Sequence, residues 1–196
     1  MTSAIAVSRG KQLQYLTLTY NVIEAGIAIW AGALASSVSL VGFGLDSLIE
    51  VTASVAALWV LNDGSKERSV QRLVSCSLAL LAVGTAYQAL TRSNEAERSL
   101  PGLVLALVSI LVMPWLSREK KKVAAALGSS ALASEAKQTD FCFYLSVILL
   151  VGMLAQWIFG FAWIDPVAAL AMTPLMLIEA RRAWQGRSCA TGCNCH

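Results

Sequence analysis

Residues 39–61 read SLVGFGLDSLIEVTASVAALWVL, a continuous apolar run broken only by small polar residues and by two acids, Asp46 and Glu50. A bilayer core takes about 20 apolar residues per helical crossing, so this run is long enough to span one. The i,i+4 spacing puts both carboxylates on one helix face. Each acid near a helix centre costs roughly 2.5–3.5 kcal/mol on the insertion scale. Two on one face also repel each other, and either a bound divalent cation or protons relieve them. A pair able to exchange metal for protons has the chemistry an antiporter needs, and intramembrane acids are functional by default. The plainer alternative is a polar network that only fixes helix packing.

The rest of the chain resembles this run in character. Of 196 residues, 57% are hydrophobic and only 14% charged, with a mean hydropathy of +0.64, too apolar for an ordinary soluble domain of this size. Polar and Gly/Pro punctuation cuts six apolar segments, 14–35, 39–61, 71–91, 101–116, 124–160 and 164–184. The runs are continuous and Leu/Ala-rich, whereas barrel strands would alternate, so all six read as helices. The expected fold is an all-α polytopic membrane protein, a six-helix transmembrane bundle over 13–185. An N-terminal tail, 1–12, precedes it and a Cys-rich tail, 186–196, follows. The fourth segment is short, with Pro114 near its end, and is expected to span with little tilt or in a locally thinned bilayer. No cleaved signal peptide is expected, because residues 1–12 hold no apolar core with a small-residue cleavage site.

Orientation follows from short-loop cations. Arg9 and Lys11, Lys66, Arg68 and Arg72, the fourth-to-fifth connection (Arg118, Lys120, Lys121, Lys122) and the C-terminal stretch (Arg181, Arg182, Arg187) fall on one side, against Arg92 and Arg98 on the other. Both termini are therefore expected in the cytoplasm, with the chain in the cell (inner) membrane. Trp115, Trp163 and Trp184 lie near expected segment ends and suit an interfacial belt, whereas Trp30, Trp59 and Trp157 need packing explanations instead. No room remains for a large soluble catalytic domain. There is no Walker loop, no kinase signature, and no Ser/His/Asp set within the bundle, since His196 is the sole histidine, so the chain is not expected to be an enzyme. The net charge of +3 says little as a total, because its distribution carries the information, and nucleic-acid binding is not expected.

The fifth segment is polar in its first half, through Ser129, Ser130, Ser134, Glu135, Lys137, Gln138, Thr139 and Asp140. That half must line the bundle interior or a water-filled path. It also weakly repeats the second segment, with Leu132 on Leu40, Gln138 on Asp46 and Cys142 on Glu50. Two polar i,i+4 pairs at matching places suggest a midplane site between repeats. Gln138 and Cys142 would add an amide oxygen and a thiolate to Asp46 and Glu50, a set suited to a borderline-soft ion such as zinc. Otherwise Gln138 bonds a neighbouring helix and Cys142 packs as a small apolar residue.

Other candidates are weaker. Glu135 and Asp140 lie on neighbouring faces of the same helix, with Lys137 placed to neutralise Asp140. Glu24 is a proton relay or pairs with Asn21 inside the bundle, with metal ligation the lesser reading. Asp165-Pro166 reads as an N-cap followed by Pro at N1 of the sixth helix. Five cysteines form no spaced disulfide framework. Three of them, Cys189, Cys193 and Cys195, stand with His196 in the last eight residues, enough for four-coordinate zinc or thiol-bound copper(I). A reactive or palmitoylated tail is the alternative.

The stretches Tyr20–Ala25, Gly42–Glu50, Glu135–Thr139 and Trp163–Leu170 resemble the cation diffusion facilitator family, and the resemblance extends over all six segments. It implies six helices, cytoplasmic termini, a homodimer, and a metal site of i,i+4 pairs on helices two and five that exports divalent cations in exchange for protons. On that pattern Asp46 and Glu50 fall on the helix-two pair, with Glu for the usual Asp. Gln138 and Cys142 fall on the helix-five pair, where His or Asp then Asp is usual. The departure removes the imidazole linked with zinc selectivity. About a dozen residues follow the sixth segment, so the family's cytoplasmic domain is not expected here and any dimer must be held within the membrane. The leading expectation is a zinc/proton antiporter with no resident cofactor. The competing one is a non-transporting membrane protein that binds or senses metal through its Cys-rich tail.

Overall fold

A computed structural model describes residues 3–63, 67–91, 96–161 and 163–185. These form six α-helices: α1 (Ser3–Leu34), α2 (Val38–Asp63), α3 (Glu67–Thr91), α4 (Leu100–Leu127), α5 (Ser130–Phe159) and α6 (Ile164–Trp184). The shortest, at 21 residues, is about 32 Å long at 1.5 Å per residue, enough to cross a bilayer core. Four helices, α2 to α5, are apolar enough over such a length to be spans on that ground alone.

Burial is inverted relative to a water-soluble protein. The outside carries Leu80, Leu111 and Ile158, each about three-quarters exposed, while the interior holds Gln14, Asn21, Glu24, Asp46, Glu50, Lys120 and Glu135. Polar groups sequestered from an apolar exterior are what a bilayer demands of a helical bundle. The protein is an integral membrane protein. Trp30, Trp59 and Trp157 stand on the outer surface, where lipid accommodates the indole. Trp157 lies beneath the Arg98 guanidinium, 5.8 Å from its ring centroid.

Successive helices alternate in direction. At one end the α1–α2 turn, the approach to α4 and the last turns of α5 meet, through Glu97 N–H to the Ala35 carbonyl at 2.7 Å and Gln156 Nε2 to the Ala96 carbonyl at 2.7 Å. At the opposite end Arg9 of α1 pairs with Glu119 of α4, and Ser75 of α3 donates to the Ala180 carbonyl of α6. Small residues allow close approach between α1 and α2. A Cβ on Gly44 would lie 2.9 Å from the Ala28 methyl, and one on Gly32 2.8 Å from Val41 Cγ2.

Two boundaries differ from expectation. Residues 3–12 are the first turns of α1 rather than a separate tail. The fourth helix does not stop at 116 but runs 28 residues to Leu127, so Pro114 lies inside it, removing one backbone hydrogen bond without ending it. Trp115 is consequently mid-helix. The break falls at Gly128, in the left-handed region at φ 60°, which a glycine enters without a Cβ penalty, and Ser129 then caps α5 by accepting from Leu132 N–H. The cationic stretch 118–122 is therefore helical.

Asp165 also has a different task from the one expected. The α6 N-cap position is Trp163, with no side-chain cap. The Asp165 carboxylate instead reaches across to α2, where it accepts from Val38 N–H at 2.8 Å, from Ser37 Oγ at 2.6 Å and from Ser39 Oγ. An anion at a helix N-terminus satisfies orphan donors and the helix dipole. Asp165→Ala is expected to lower stability by about 2 kcal/mol, the upper range for a lost cap, because the α2 donors are left unpaired in a buried place. Thermal unfolding in detergent measures it, and an unchanged midpoint contradicts the assignment.

Candidate cation site

Helices α2 and α5 run antiparallel and meet through three layers of polar side chains. In the first, Cys142 Sγ lies 3.7 Å from Asp46 Oδ2. In the second, Thr139 Oγ1 donates to Glu50 Oε1 at 2.6 Å. In the third, Ser54 Oγ donates to Glu135 Oε1 at 3.1 Å. Each layer lies about one helical turn from the next, with i,i+4 steps along α2 and an i,i+3 then an i,i+4 step along α5. Because the helices oppose, the second half of the α5 pair, Cys142, meets the first half of the α2 pair, Asp46.

Asp46 is 3% exposed and Glu50 1%. Each keeps one carboxylate oxygen with no hydrogen-bond partner, Asp46 Oδ1 and Glu50 Oε2, and Gln138 Nε2 of α5 is likewise unpaired. Buried polar atoms are nearly always paired, so the two orphan carboxylate oxygens in adjacent layers are unsatisfied binding capacity, while Gln14 and Asn21 carry further unpaired atoms on α1. Rotation of the Gln138 amide would present its oxygen in place of the nitrogen. Two carboxylates and a thiol thus meet on the α2–α5 seam. They are not drawn tight: among the described residues no three Cys, His, Asp or Glu side chains are gathered closely enough to hold one ion.

The other predicted residues lie around this seam. Glu24 sits in the bundle, but its carboxylate is taken up by Ser47 Oγ at 2.8 Å, Tyr20 at 3.2 Å and the Ser109 hydroxyl, and Asn21 forms no bond to it. Asp140 turns toward α4, where Ser117 and Lys121 hold it, so its ionic partner is Lys121 rather than the expected Lys137. The tail candidates Cys189, Cys193, Cys195 and His196 lie outside the described residues.

The sequence profile of the cation efflux transmembrane domain matches residues 15–184, nearly the whole chain. The chain belongs to the cation efflux family. Comparison with curated proteins returns no match. As a member of that family the protein is a transmembrane cation efflux transporter, and the buried α2–α5 seam is where unpaired carboxylate oxygens are found among its described buried side chains.

One residue of this transporter escaped the sequence reading. Lys120, expected in a cytoplasmic connection, is 2% exposed and lies inside the bundle. Its ammonium donates to Glu135 Oε1 at 2.5 Å and Thr139 Oγ1 at 2.9 Å, and stands 3.8 Å from Glu50 Oε1. Gln14 of α1 completes the group through Glu135 Oε2 at 2.5 Å. A signal was present: Met113, Leu116, Lys120 and Val123 recur at helical spacing and form one buried stripe of α4.

Proposed function

We propose that the protein exports a divalent cation, zinc or an ion of similar softness, from the cytoplasm in exchange for protons, with Asp46, Glu50, Gln138 and Cys142 as the transport site. The observation that carries this reading is that Asp46 and Glu50 each meet the opposing helix through one carboxylate oxygen, at Cys142 and Thr139, and keep the other oxygen buried without a partner. Two buried carboxylates in adjacent layers call for positive charge, and a divalent ion or protons supply it alternately. The thiol biases the set toward soft and borderline ions. Both termini are assigned to the cytoplasm of a cell (inner) membrane on the distribution of Lys and Arg. A homodimer held through the membrane helices is carried over from the family resemblance.

Purified protein in proteoliposomes, with a pH-sensitive dye inside and zinc, cobalt, manganese or iron supplied outside, tests the reading. Zinc and cobalt are expected to drive proton movement opposite to the metal, with manganese weaker. Truncation after Gly186 is expected to leave transport in place. Metal uptake without proton movement would overturn antiport, and loss of all metal binding on truncation would transfer the function to the Cys-rich tail.

A further inference from the structure

We propose that Lys120 is a tethered counter-cation of the transport site, competing with the incoming metal for Glu50 and thereby setting its affinity. This rests on the assignment of Asp46 and Glu50 to that site. Lys120 is the one Lys or Arg among the described side chains that is buried, and it is placed between two carboxylates of unequal claim. Glu135 holds it at 2.5 Å, while Glu50 stands at 3.8 Å and has a free second oxygen. The anchoring is redundant. Thr139 accepts from the ammonium at 2.9 Å, and Ser54 and Gln14 fix the Glu135 carboxylate from α2 and α1. Lys120 therefore keeps its own ion pair when Glu50 turns to a metal.

The arrangement has a direct electrostatic consequence. A fixed positive charge within reach of Glu50 opposes a second cation on the same carboxylate, and in a low-dielectric interior that opposition is strong. It also leaves a smaller net charge when no metal is bound, so the seam can close without ligand. For a transporter, binding must be weak enough to release the ion as well as strong enough to capture it. The four helices joined by this cluster, α1, α2, α4 and α5, meet on the side of Glu50 toward the two described chain ends, so the ammonium lies where an ion from that end would arrive.

Two substitutions should move zinc affinity in opposite directions, which a merely structural cluster would not do. Lys120→Gln retains a donor for Glu135 but removes the charge. It is expected to raise zinc affinity at least about tenfold, within what a unit charge a few ångströms away supplies at an effective dielectric near 20, and to slow turnover through late release. Glu135→Gln frees the ammonium to settle on Glu50 and is expected to lower affinity, while Lys120→Arg stays close to the unaltered protein. Calorimetric zinc titration of the full chain in detergent, with thermal unfolding as the folding check, reads all three. Unchanged or reduced affinity in folded Lys120→Gln overturns the proposal. Should that variant not fold, Glu135→Gln decides, and unchanged or increased affinity there overturns it. Glu50→Gln separates the two levels of argument: its failure to weaken zinc binding removes the site assignment itself, whereas weakened binding beside an inert Lys120 removes only the counter-cation.

Discussion

Asp46→Ala is expected to abolish metal-dependent proton flux in reconstituted vesicles. Asp46 contributes a buried carboxylate with one oxygen unpaired and the other facing Cys142. Its removal takes away about half the negative charge of the two layers and a ligand from the same place. Loss of a mere supporting group near a metal costs roughly 10–100-fold, so removal of a direct ligand should exceed about 100-fold. Alanine also leaves a small void in α2, and Asp46→Asn, which keeps the volume, is the cleaner variant. Equal losses in the two assign the effect to charge rather than packing. Flux through Asp46→Asn equal to that of the unaltered protein would show that the ion crosses elsewhere.

Cys142→Ser is expected to alter selectivity rather than simply reduce activity. Serine keeps a small polar side chain beside Asp46 but replaces a soft donor by a hard one. Zinc affinity should fall at least about tenfold, or about 1.4 kcal/mol, whereas manganese affinity should change much less. In a background where Cys76, Cys189, Cys193 and Cys195 are serine, bound zinc should also protect Cys142 from alkylation, because the metal holds the thiolate. If helix α5 instead supplied Glu135 or Asp140, the two metals would weaken together on mutating the acid, with Cys142→Ser nearly silent. The structure places Glu135 on Lys120 and Asp140 on Lys121, which favours the thiol. Alkylation of Cys142 that is indifferent to zinc would refute this choice.

Six helices in a bilayer were legible in the sequence because hydrophobic length is a local property: a run such as 39–61 has few alternatives once it exceeds the bilayer core. The i,i+4 pairs were legible for the same reason, since helical periodicity alone puts Asp46 beside Glu50 and Gln138 beside Cys142. Which member of one pair meets which member of the other was not, because that depends on the relative direction and register of α2 and α5. The boundary between α4 and α5 lay hidden behind composition. A run of lysines looks like a surface loop, yet the helix ends only at Gly128, where the backbone turns left-handed. That extension carries Lys120 inward, to a carboxylate 15 residues further along the chain. Asp165 likewise looked like a cap for its own helix and proved to cap α2, whose N–H groups are brought to it only when the helices pack. Sequence alone determined the membrane class, the number of helices and the acidic pair, all of which follow from local hydropathy and a 3.6-residue period. The tertiary structure decided the partners of each charge, because an ion pair between helices depends on distances that no local pattern encodes.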